Sequence, residues 1–121
     1  MNKRIYVLVV EDEALILLDT VGQLEAAGFH VLCATNAAAA VGLLITHPGI
    51  QVIFTDINMP GSMNGLVLAS LVRERWPLIK IIVTSARRKM ELAEIPSGSL
   101  FFDKPYDGNA VIAAIRDMLA V

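Results

Sequence analysis

Short, continuous apolar runs alternate along this chain with longer stretches whose apolar positions recur every three or four residues. Ile5–Val10 is continuous and rich in β-branched side chains, the pattern of a strand buried on both faces. From Ala14 to Ala27, residues Ala14, Leu15, Leu17, Leu18, Val21 and Leu24 repeat at helical spacing, and Gly28 stops the helix as a C-terminal cap. Phe29–Ala34 predicts a second strand. Asn36 can cap a helix over Ala37–Thr46, which Pro48-Gly49 breaks. Val52–Thr55 predicts a third strand, followed by a Gly- and Asn-rich loop from Asn58 to Gly65. A helix over Leu66–Trp76 ends before Pro77. Ile81–Thr84 predicts a fourth strand, Lys89–Ile95 a short helix before Pro96, and Leu100–Phe102 a fifth strand. Asp107 caps a last helix that runs through Leu119.

Alternating strands and helices with no linker predict one α/β domain over residues 1–121. Parallel strands joined by right-handed crossovers give a doubly wound, three-layer sandwich around a five-stranded parallel sheet. The expected strand order is 2-1-3-4-5, with its switch point between the first and third strands, where ligands bind at the C-terminal edge.

Composition narrows the classes. Of 121 residues, 55% are hydrophobic and 18% charged, which favours a filled core over disorder. A net charge of −2 gives no support for nucleic-acid binding. No apolar stretch approaches the ~20 residues that span a bilayer, and the start of the chain is too short for a signal peptide. Cys33 is alone, so no internal disulfide can form, and a cytoplasmic location is expected.

Three of the predicted strands end in ionisable residues: the first in Glu11-Asp12-Glu13, the third in Asp56, the fifth in Asp103-Lys104. In a parallel sheet these ends share one edge. Carboxylates held close together repel, and a hard cation removes that penalty. Mg²⁺ fits, with Mn²⁺ as the substitute, because it takes oxygen ligands and keeps several waters. Glu11, Asp12, Asp56 and the backbone carbonyl of Asn58 are the expected metal set. Asp56 is the candidate nucleophile, since a carboxylate can accept a phosphoryl group. Such chemistry relies on positioning and charge stabilisation. Lys104 would supply fixed positive charge, Ser85 a hydroxyl donor, and Ile57 and Ala86 backbone N–H groups. Plainer uses exist beside these. Acids favour helix starts, Phe101 suits a core, His30 and His47 suit the surface, and Arg87-Arg88-Lys89 suits a solvated face.

The motifs Val9-Val10-Glu11-Asp12-Glu13, Asp56-Ile57-Asn58-Met59-Pro60, Val83-Thr84-Ser85-Ala86 and Lys104-Pro105-Tyr106 follow in an order and spacing that resembles the receiver domain of two-component response regulators. That CheY-like, flavodoxin-like family implies phosphorylation of Asp56 from a phosphohistidine on a sensor histidine kinase or histidine phosphotransfer protein, with Mg²⁺ as cofactor. It implies a phosphoacceptor that assists its own phosphorylation and dephosphorylation, not an enzyme in its own right. A cis Lys104–Pro105 bond is implied too. So is a switch in which Ser85 moves toward the phosphate and Phe101 turns inward. Phe101 has no hydroxyl, so a hydrogen-bonded outward state is closed to it. The implied partners are the phosphodonor and a downstream protein, with no direct nucleic acid and no membrane. The implied assembly is a monomer or a phosphorylation-linked homodimer.

Two departures stand out. The loop Asp56–Gly65 is one residue longer than the usual pattern, with Asn64 in place of an acid, and the stretch from Ser85 to Lys104 is shorter. Thr84 and Ser85 compete for the hydroxyl role, and Ser85 is preferred because the small Ala86 follows it. Three other readings compete. In an FMN binder, Glu11-Asp12-Glu13 would repel the phosphate. A Mg²⁺-dependent phosphatase or phosphotransferase with an Asp nucleophile lacks its second acid, since Asn58 stands there. The third reading is a receiver used as a scaffold without phosphorylation. No Gly-x-x-x-x-Gly-Lys-Ser/Thr loop occurs, so nucleotide hydrolysis is unsupported.

Overall fold

The computed structural model of the protein describes residues 4–59, 61, 63–86 and 95–119. Five parallel strands pair in the expected order β2-β1-β3-β4-β5. They are β1 (Tyr6–Val10), β2 (His30–Ala34), β3 (Ile50–Asp56), β4 (Lys80–Ser85) and β5 (Leu100–Asp103). Four helices lie among the described residues: α1 (Ala14–Ala26), α2 (Ala37–Thr46), α3 (Gly65–Arg75) and α4 (Gly108–Leu119). The short helix expected over Lys89–Ile95 falls almost wholly outside the described residues, as do Arg87, Arg88 and Lys89.

The central strands carry the apolar runs because helices cover both of their faces. On one face, Leu8, Ile53, Ile81 and Val83 pack with Ala40 and Leu44 of α2 and with Leu68 and Val72 of α3. On the other, Val7, Val9, Phe54 and Ile82 pack with Leu17 and Leu24 of α1 and with Val111 and Ile115 of α4. β3 runs two residues further back and one further on than its apolar run. Pairing with β1 recruits Ile50 at its start, with Gln51 the extra residue at a bulge, and pairing with β4 recruits Asp56 at its end.

The predicted stops hold for local reasons. Gly28 adopts φ 100°, and the N–H groups of Gly28 and Phe29 close on the carbonyls of Glu25 and Leu24, which caps α1. Arg116 of α4 donates to the Ala27 carbonyl at 2.9 Å and lies over the Phe29 ring, tying the ends of α1 and α4 together. Asn36 caps α2 by accepting from Ala39 N–H at 2.8 Å. α3 ends at Arg75 rather than Trp76, whose N–H still bonds the Val72 carbonyl. Asp107 accepts from Asn109 N–H at the start of α4.

Candidate functional site

The C-terminal ends of β1, β3, β4 and β5 bring the predicted residues to one edge. Glu11 continues β1, its N–H bonded to the Ala34 carbonyl of β2, and only 3% of it is exposed. Its Oε2 accepts the Glu13 N–H at 3.0 Å, so the acidic turn is folded around its own carboxylate. Asp56 closes β3 and is 4% exposed. Its Oδ1 accepts the Asn58 N–H at 3.2 Å. Asp12 is exposed at the rim. One carboxylate oxygen from each of Glu11, Asp12 and Asp56 lies within 4.8 Å of the others.

Lys104 reaches into this group just past β5. Its Nζ donates to Glu11 Oε1 at 2.8 Å and to Asp56 Oδ2 at 3.0 Å, with Glu13 Oε1 at 3.9 Å. Burial alone would lower the lysine pKa. The hydrogen bonds and charges of Glu11 and Asp56 outweigh it and hold the ammonium above its ordinary range. Three carboxylates against one ammonium leave the cluster short of positive charge. An all-oxygen donor set with that deficit suits a hard divalent cation.

The hydroxyl question resolves by direction. Thr84 donates to the Phe102 carbonyl at 2.7 Å, whereas Ser85, fully buried, donates to the Asn58 side-chain oxygen at 2.9 Å beside Asp56. Asn58 thus contributes its side chain and its N–H, roles the sequence reading did not assign. One expected donor is withdrawn: Ile57 N–H is committed to the Thr84 carbonyl at 2.9 Å, part of the β3–β4 ladder. Ala86 is exposed beside Lys104. Phe101 is half-buried and packs against the core shared with α2 and α3. The Lys104–Pro105 bond is cis. His30 and His47 are exposed, and His30 stacks on Tyr6.

Tyr106, in the sequence only the last member of a motif, has a definite place in the fold. Its hydroxyl lies 2.6 Å from Thr20 Oγ1 of α1, and its ring meets Phe54 edge-on at 5.1 Å between centroids. Burial raises its pKa, so it stays a neutral phenol near pH 7. The available signal was that a tyrosine next to a core strand needs a partner for its hydroxyl. A groove of about 430 Å³ opens beside Lys104, bounded by Leu15, Ile16, Ala86, Pro105 and Tyr106.

The profile of the response regulator receiver domain matches residues 7–116. The chain belongs to the response regulator receiver family. An NtrX-like response regulator of Rickettsia felis is 27% identical over 114 residues, covering 91% of this chain and 24% of that protein. The DNA-binding transcriptional regulator NtrC of Escherichia coli is 28% identical over 91% of this chain and 24% of its own length. The receiver thus spans about a quarter of each of these relatives. A response regulator receiver protein from Sinorhizobium medicae superposes with a TM-score of 0.90 at 28% identity, covering 98% of this chain and 97% of that one. A receiver domain is a phosphoacceptor signalling module, and the acidic cluster fits that role. Among the described residues no helix is long and apolar enough to cross a membrane.

Proposed function

We propose that Asp56 of this receiver accepts a phosphoryl group from a phosphohistidine on a sensor histidine kinase or histidine phosphotransfer protein. The observation that carries the reading is Lys104 Nζ bridging Asp56 and Glu11 within a cluster of three carboxylates. Glu11, Asp12, Asp56 and the Asn58 carbonyl would hold Mg²⁺, or Mn²⁺ in its place. That ion would supply further positive charge to the phosphoryl oxygens.

An Asp56 carboxylate oxygen forms the new P–O bond as the P–N bond to the donor imidazole breaks, and the electron pair stays on the imidazole nitrogen. Lys104 exchanges its Asp56 contact for a phosphoryl oxygen. Ser85 turns from Asn58 to donate to another. Phe101, on the strand that leads to Lys104, turns inward and changes the surface a downstream protein reads. Water later cleaves the acyl phosphate and restores Asp56. The groove beside Lys104, with Leu15 83% and Leu18 68% exposed on α1, offers a seat for the donor protein. Residues 1–121 act as one such unit in the cytoplasm, as a monomer or a phosphate-linked dimer.

Intact-mass spectrometry after incubation with Mg²⁺ and acetyl phosphate tests the assignment. Wild type should gain one phosphoryl group and Asp56→Asn none, with its fold retained by circular dichroism. Labelling of Asp56→Asn at the wild-type rate would sink it.

A further inference from the structure

We propose that Tyr106 and Thr20 form a positioning pair that aims Lys104 at Asp56, an inference that rests on the phosphoacceptor reading. Lys104 must meet oxygens on two different strands with one flexible stem. Its own backbone is tied on one side, where its N–H bonds the Ser85 carbonyl at 3.1 Å. β5 has ended by then, at Asp103. The next anchor along the chain is Tyr106.

That side chain touches β3, which delivers Asp56, and α1, which follows the acidic turn. Its ring meets Phe54, two residues before Asp56 on β3. Its hydroxyl bonds Thr20 on α1, the helix that begins straight after Glu11-Asp12-Glu13. Thr20 is 5% exposed, so its hydroxyl depends on this contact to avoid the cost of burying an unpaired polar group. A phenylalanine would fill the same space, but only the hydroxyl fixes the loop's direction against α1. A displacement of a fraction of an ångström there would carry Lys104 off one of its two carboxylates.

Tyr106→Phe keeps the ring and removes the link, and Thr20→Val removes it from the other side. Each should slow self-phosphorylation by acetyl phosphate at saturating Mg²⁺ by roughly fivefold to tenfold, with Mg²⁺ affinity unchanged. Thr20→Ser should retain the wild-type rate, and the double variant should be no slower than the slower single one. A lower unfolding midpoint with an unchanged rate would overturn the proposal and leave the pair a structural contact. Failure of wild type to take up phosphate would instead overturn the acceptor reading. The Lys104 ammonium ¹⁵N resonance, followed at one fixed pH, then decides the positioning separately. Movement in Tyr106→Phe toward the value of a solvated lysine supports it, and an unmoved resonance overturns it.

Discussion

At Lys104, burial and hydrogen bonding act in opposite directions on one charge, and the bonds to Glu11 and Asp56 prevail. A lysine whose pKa is raised by folding stabilises the native state fully below its unfolded pKa of ~10.4. That contribution is lost as pH rises through the higher folded value. In metal-free protein, Lys104→Met should therefore weaken the fall in stability above pH ~10. Tyr106, also raised, acts in the same direction, so its phenylalanine variant gives the needed control. Urea midpoints between pH 8 and 12 would check this, and identical slopes in wild type and Lys104→Met would contradict it. Gly65 is constrained by close approach. A Cβ there would run into the Asp56 carbonyl oxygen and come within 2.7 Å of Ile57 Cα, while Gly65 N–H bonds the Ile57 carbonyl. Gly65→Ala should cost about 1–3 kcal/mol by overpacking and, by pushing on the end of β3, should slow phosphorylation as well. Chemical denaturation beside the acetyl phosphate assay would separate the two effects.

Within elements, the helix starts and stops were readable because caps are local chemistry. Asn36, Gly28 and Asp107 each act at the position their residue type suggests. Asn64 is more informative. In the sequence it stands as a departure from an acidic position, whereas in the fold its side chain accepts the Val67 N–H at 3.0 Å and caps α3. Asn and Asp are comparable N-caps, so the exchange keeps the helix start that holds Gly65 against β3. Asn64→Ala should cost about 1 kcal/mol and Asn64→Asp close to nothing, as thermal unfolding of the two variants would reveal. Strand ends were less readable. Ile50, Lys80, Ser85 and Asp103 join strands by ladder pairing, which an apolar run does not report.

Across the whole molecule, the site exists because a parallel sheet gathers strand ends that lie far apart in sequence. Lys104 and Glu11 are 93 residues apart and share a 2.8 Å contact. A ligand that binds only the folded protein must stabilise it, so Mg²⁺ should raise the melting temperature, by an amount that grows with the logarithm of its concentration above Kd. Asp12→Asn should weaken that rise with little change in metal-free stability, because Asp12 is exposed and its charge serves the cluster. Differential scanning fluorimetry with and without Mg²⁺ would decide, and an equal shift in both proteins would remove Asp12 from the metal set. The sequence by itself determined the alternation of strands and helices, the strand order and which acids and lysine gather at the sheet's edge. Each of these follows from periodicity, from cap chemistry or from motifs whose spacing resembles one family. Only the tertiary structure decided that Ser85 rather than Thr84 bonds the Asn58 side chain, that Ile57 N–H is already spent on the Thr84 carbonyl, and that Tyr106 reaches α1. Side-chain direction and the competition for hydrogen-bond partners are set by packing between elements, which no local stretch of sequence encodes.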